Sequence, residues 1–311
     1  MPNSVLDGEY AGGIPKDFVL PNCYRTPRPV LMTAHGVALG LYTKKPNEMF
    51  YHQNEWKAIG YQVNVPNTAV IAVGNQVEIE RTLDNNQNKL EQILNNNRKK
   101  PLNLIQTDTF KSPTEQYDFI AQKINSIIQA EKVTPEEIVI INLHSGSNKA
   151  EMLEIQRKLL SYNINSVIPG YVESADIFKR PNHVTITTPF RAKGNEANVI
   201  FVLNAHLVAN DFTLRMRNAF FVAVTRSRGW CYITGIGAQM DALTREIESI
   251  KQDFPKFKFI CPDQNDVKSR KSFLNKSEVE LNKIQSMLEL VDTDENIRKI
   301  LEDHIKSSGS K

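Results

Sequence analysis

The chain has 311 residues, of which 41% are hydrophobic and 23% charged, with a formal net charge of +3. This is an ordinary globular composition, long enough for one large α/β domain with an insertion or a tail. Three cysteines with no CxxC pair exclude a disulfide framework and a zinc site, and no apolar run approaches the roughly 20 residues of a membrane span.

In chain order, residues 1–16 contain Gly8, Gly12 and Gly13 among polar groups and read as a connection. Asp17–Leu20 has the pattern of a short strand. Pro27 and Pro29 then suit the first turn of a helix continued by Val30–Tyr42. Residues 43–101 read as an insertion with a polar, partly helical outer face. Within them Glu55–Val63 is a helix running into a strand, and Ala69–Ala72 and Val77–Ile79 are strands. Leu90, Ile93 and Leu94 keep helical spacing in the Asn-, Gln- and Lys-rich stretch 84–100.

A strand is expected at Asn103–Gln106. Ser112, Pro113 and Glu115 form a helix start with a capping box, followed by an apolar stripe at Tyr117, Ile120, Ile124, Ile127 and Ile128. The branched run Ile138–Leu143 suits a strand buried on both faces. After the loop His144–Lys149, Met152, Ile155, Leu159 and Leu160 mark a helix. Ile164–Ile168, Val184–Thr187, Val199–Leu203 and Cys231–Gly235 read as further strands, Leu243, Ile247 and Ile250 as a helix, and Phe257–Ile260 as a strand. Residues 264–311 are charged with a helical pattern and a Ser/Gly-rich end expected to be disordered. Strands alternating with helices predict an α/β fold: a mainly parallel sheet covered by helices on both faces.

Polar residues gather at the ends of these apolar elements, where α/β proteins place binding groups. Three stretches carry the pattern: Cys23-Tyr-Arg-Thr26, Thr187-Thr-Pro-Phe-Arg-Ala-Lys-Gly-Asn-Glu196 and Ala219-Phe-Phe-Val-Ala-Val-Thr-Arg226. They resemble, in order, the fourth, fifth and sixth motifs of superfamily 1 DNA helicases of the UvrD/Rep type. The resemblance covers the second, C-terminal RecA-like motor domain, residues 17–262, with 43–101 as a family-specific insertion. Residues 1–16 then correspond to a linker from an N-terminal motor domain, and 263–311 to a charged helical tail.

The resemblance implies an ATP-dependent DNA helicase, with ATP and Mg²⁺ bound between two RecA-like domains. It implies that Arg226 and Arg25 act catalytically on the γ-phosphate. Glu196 is implied to meet the ribose, with Lys193 and Gly194 shaping the turn before it and Tyr24 also lining the nucleotide. Thr187, Thr188, Phe190 and Arg191 are implied to touch single-stranded DNA. The partners implied are single-stranded DNA and an N-terminal RecA-like domain, in cis or in trans, with no membrane, in a reducing, cytoplasmic setting. A guanidinium carries a permanent charge and a rigid donor fork, which suits charge developing on a phosphoryl group.

The chain departs from the family pattern in several places. Phe190 stands where many relatives have a histidine, and Asn195 where a bulky residue is usual. No G-x-x-x-x-G-K-[ST] occurs, and the strand Val199–Leu203 ends in Asn204, not in Asp-Glu. The Mg²⁺ ligands are therefore expected from the N-terminal domain, and the chain alone is expected to be inactive. An alternative reading is a non-catalytic, helicase-derived module that binds nucleic acid or a partner protein.

Several residues carry two readings. Phe190 is a core residue or a base-stacking platform, and Glu196 is a cap or a ribose contact. Arg28 competes with Arg25 for the phosphate role. Arg215, Arg217 and Arg228 read as solvated or positioning charges, His35 as a satisfied interior histidine, and Trp56 and Trp230 as packing.

Overall fold

The computed structural model describes residues 9–10, 14–15, 22–44, 46–144, 148–174, 176–209 and 214–268. These fall in the compact unit Met1–Val267, with Lys268 beyond its end. The strand expected at 17–20 and the tail after residue 268 lie outside the described residues.

Two short strands, β1 (Glu9–Tyr10) and β2 (Ile14–Pro15), pair antiparallel. Helix α1 (Arg28–Leu39) starts after Pro27 and stops at Gly40, whose φ of 70° places it in the left-handed region that glycine tolerates. Next come α2 (Gln53–Ala58), β3 (Gln62–Val65), β4 (Gln76–Glu80) and α3 (Lys89–Asn96). After a 3₁₀ turn at Pro101–Leu104 follow β5 (Ile105–Phe110), α4 (Pro113–Glu131), β6 (Ile138–Asn142) and α5 (Asn148–Leu160). Then come β7 (Ser166–Val167), β8 (Val184–Thr187), β9 (Ala197–Leu203), α6 (Leu214–Val224), β10 (Ser227–Ile236), α7 (Gly237–Asp253) and β11 (Lys256–Ile260).

Six strands form one parallel sheet in the order β5-β10-β9-β6-β8-β7. The central strands are apolar on both faces, and their side chains divide by alternation. Val139 and Ile141 join Ile200, Val202 and Ile233 in one core, which α1, α6 and α7 cover. Ile138 and Ile140 join Phe201, Leu203 and Tyr232 in the other, under α4 and α5. This is the doubly covered sheet expected from the continuous branched runs.

The insertion is not an outer appendage. Its strands β3 and β4 form a three-stranded antiparallel sheet with β11. Trp56, Tyr61, Val77 and Ile79 are buried in the same core as Val30 and Met32 of α1. The strand Phe257–Ile260 thus joins the smaller sheet. Its alternation, with Phe257 and Phe259 inward and the intervening lysines outward, fits a sheet with one solvated face.

Other expectations shift in detail. Ala69–Ala72 forms no strand, only a bridge between Val70 and His52. The strand expected at 103–106 begins at Ile105, and that expected at 164–168 shrinks to two residues. Ser112 caps α4 by accepting from the Glu115 N–H at 3.3 Å, but Glu115 accepts from Lys111 N–H at 3.0 Å, so the capping box closes one residue early.

Two polar groups inside the larger core are fully engaged. His35 is hydrogen-bonded to the Tyr61 hydroxyl at 2.9 Å. Burial, then the nearby Arg81 charge, lowers its pKa to about 3, so it stays neutral. Arg217 is buried, which leaves the positioning charge of its two readings. It grips Glu246 of α7 through two bonds of 2.8 and 3.0 Å and also donates to the Val37 carbonyl of α1. Among the described residues no helix is long and apolar enough to cross a membrane.

Candidate functional site

The sheet separates the candidate residues into two groups. Glu196 immediately precedes β9 and Arg226 immediately precedes β10, so both stand at the N-terminal edge of parallel strands. Thr187 closes β8 at the opposite, C-terminal edge.

At the first edge three segments meet. The turn 24–26 before α1 carries Tyr24, 63% exposed, and Arg25. Arg25 donates through Nη2 to the Thr225 carbonyl at 3.1 Å, and the Thr26 hydroxyl reaches the same carbonyl at 3.4 Å. Residues 200 positions apart are thereby joined directly. Glu196 pairs with Arg25 Nε at 3.6 Å and with Arg228 Nη1 at 3.2 Å. All three side chains remain well exposed, so these pairs orient groups more than they stabilise the fold.

Arg226 lies beside them. Its Nε donates to the Val222 carbonyl at 3.0 Å and its Nη2 to Thr225 Oγ1 at 3.3 Å, so the guanidinium rests on the end of α6. Burial first, and then the Arg25 charge, presses this guanidinium below the usual arginine range, with Glu196 acting in the opposite sense. Arg25 and Arg226 thus influence one another electrostatically, with the Glu196 carboxylate, paired to Arg25 and Arg228, close by. Such an excess of positive charge is suited to a polyanion.

An open depression of about 570 Å³ adjoins this cluster. Tyr24, Arg25, Glu196 and Arg228 line it, as do Asn88, Lys89 and Leu90 from the insertion and Asn198, Gly229 and Trp230. Lys193 and Gly194 are exposed and do not line it; Gly194 has a φ of 89°, the conformation the turn into β9 requires of a glycine. Arg28 is not a rival to Arg25. It is buried against Glu91, with Nε–Oε1 at 2.6 Å.

At the C-terminal edge the residues divide. Thr187 is only 1% exposed, buried like the rest of β8, and its hydroxyl has no hydrogen-bond partner among the described residues, so its side chain is not presented at the surface of this chain. Thr188 is half-buried, whereas Phe190 is 62% exposed, which removes its core reading. Arg191 is exposed, and its guanidinium lies over the Tyr171 ring at 5.2 Å. Nearby, the ends of β6 and β9 are tied by Asn204, whose amide donates to Asn142 at 3.0 Å and to Glu151 at 3.1 Å.

The residues missed in sequence are Arg228, Asn88, Lys89, Leu90, Asn198 and Trp230 as members of the depression. One signal was present: Asn88 with Glu91 has the spacing of a helix cap, and Asn88 Oδ1 does accept from Glu91 N–H at 2.9 Å. Nothing local announces that this cap faces Tyr24.

The parallel sheet covered by helices on both faces is an α/β fold consistent with the RecA-like class. Residues 183–234 match the family model of the UvrD-like helicase C-terminal domain. That segment runs from the residue before β8 into β10 and holds Glu196, Arg226 and the candidate DNA-facing residues; Tyr24 and Arg25 lie outside it. The resemblance read from the fifth and sixth motifs is thus to the family that matches. A solved structure described as the C-terminal domain of a possible DNA helicase from Lactobacillus plantarum WCFS1 is similar at 16% identity, over 49% of this chain and 86% of that one, with a TM-score of 0.35. No curated protein matches the chain.

Proposed function

We propose that this chain is the C-terminal motor half of an ATP-dependent DNA helicase. It supplies arginines to a nucleotide site shared with a first RecA-like domain, and it carries part of a single-strand track. The observation that supports this most is the convergence of Tyr24, Arg25, Glu196 and Arg226, joined through the bond from Arg25 to the Thr225 carbonyl.

The residues fit a nucleoside triphosphate. Tyr24 offers an exposed ring for a base, Glu196 a carboxylate for ribose hydroxyls, and the arginines a concentration of positive charge for phosphates. The bound triphosphate, with Mg²⁺ held by the first domain, supplies the phosphoryl chemistry. Arg25 and Arg226 act as electrostatic stabilisers of the transferring group. Arg226 releases its hold on the end of α6 when the domains close, which links hydrolysis to motion. Glu196 orients Arg25 until then. On the opposite edge, Thr188, Phe190 and Arg191 hold a strand without reading its sequence.

The test is a titration of the full chain with Mg²⁺ and radiolabelled ATP, alongside an ATP hydrolysis assay with single-stranded DNA. Weak binding that Arg25→Ala and Glu196→Ala each weaken further, with no hydrolysis above background, is expected. Robust DNA-stimulated hydrolysis by the purified chain overturns the half-site reading. Single-strand binding without any nucleotide binding favours the non-catalytic module.

A further inference from the structure

Tyr24 and Arg25 sit in an exposed turn, and long side chains in such a turn are useful only if its backbone is held. One stretch of the insertion does the holding. Cys23 exchanges backbone bonds with it, donating to the Asn85 carbonyl at 3.0 Å and accepting from Gln87 N–H at 2.9 Å. The Asn86 amide donates to the Thr26 carbonyl at 3.0 Å, and Glu91 accepts from the Arg28 N–H at 2.8 Å. The Asn88 amide donates to the Arg25 carbonyl at 2.5 Å and approaches the Tyr24 carbonyl at 3.5 Å. Asn86, Asn88 and Glu91 are all buried, at 1, 4 and 1% exposure.

Asn88 is used at both ends. Its oxygen caps α3, while its amide group grips the turn. Lys89 and Leu90, in the first turn of α3, then line the same depression as Tyr24 and Arg25. The start of α3 is therefore both the anchor of the turn and a wall of the cavity.

We propose that Asn88 is a positioning residue of the site: by binding the carbonyls of Tyr24 and Arg25 it fixes where the Tyr24 ring and the Arg25 guanidinium stand. The insertion is on this account a built part of the site. That the ligand is a nucleotide rests on the function proposed above; the positioning rests on the contacts alone.

Asn88→Asp and Asn88→Ser separate the two roles of the side chain. Both keep an oxygen that can cap α3, and neither keeps the amide donor. In the full chain, hydrogen exchange of residues 22–28 is expected to rise about tenfold or more in both variants, with exchange of α3 unchanged, as follows from loss of a hydrogen bond to an ordered carbonyl. Affinity for Mg²⁺ and ATP is expected to fall roughly fivefold to tenfold. Combined with Arg25→Ala, either variant costs less than it does in the wild-type chain, because only the part of its effect that runs through Tyr24 remains.

Wild-type exchange at 22–28 in the foldable variants overturns the proposal, and so does an affinity loss that adds in full to that of Arg25→Ala. If the wild-type chain binds no nucleotide but residues 22–28 loosen in both variants, the nucleotide reading fails and the positioning of Tyr24 and Arg25 stands.

Discussion

Phe190 illustrates how exposure decides between readings of one residue. A phenylalanine left 62% exposed at the end of a parallel strand contributes little to the core. It has a free π-face beside the charged Arg191, and base stacking is tolerant of sequence. Phe190→Ala is therefore expected to weaken single-strand binding by roughly 1–3 kcal/mol without lowering the melting temperature. Fluorescence anisotropy at several salt concentrations measures this, and affinity should fall as salt rises. An unchanged affinity removes Phe190 from the nucleic-acid face. At this scale the sequence was most informative where the residues of a motif are contiguous, as in Val222–Arg226. It did not reveal what Asn88 grips, because the pairing of residues 23–28 with 85–91 is non-local and a helix cap does not announce which turn it faces.

Helices α1, α6 and α7 are tied by one buried ion pair, Arg217 with Glu246. Removing one partner leaves the other charged and enclosed. Glu246→Leu is accordingly expected to cost about 3–5 kcal/mol. The double replacement Arg217→Leu with Glu246→Leu should cost less than that single change, since no unpaired charge remains. Thermal melting of the two variants checks this, and equal or greater loss in the double variant contradicts it. The central strands β6 and β9 were legible because both faces are apolar and the runs are continuous. The edge strands were expected, but their bounds were not legible. In β5, Gln106, Thr107 and Asp108 interrupt the apolar run, and β7 keeps only two residues. The elements of the insertion were largely legible, but its share in the main core was not, because Trp56, Tyr61 and Ile71 are scattered among polar residues and pack in one cluster with residues of α1 and β11.

On the proposed reading of the chain as a motor part, labour divides across the sheet. The charged cluster with Glu196 and Arg226 occupies the edge where β9 and β10 begin, and Thr188 to Arg191 follow the end of β8. Movement of the charged edge against a first domain would then be felt at the far edge through strands packed on both sides. The measurement that bears most directly on this account is ATP turnover at saturating ATP and single-stranded DNA, in a motor that joins this chain to a first RecA-like domain, with and without Arg226→Ala. Arginines of this kind are worth about 10³–10⁵ in rate. The account predicts that Arg226→Ala abolishes DNA-stimulated turnover while melting and single-strand binding persist, and that Arg226→Lys restores little, because an ammonium lacks the planar fork. Near-normal turnover in the alanine variant, with melting unchanged, would contradict it.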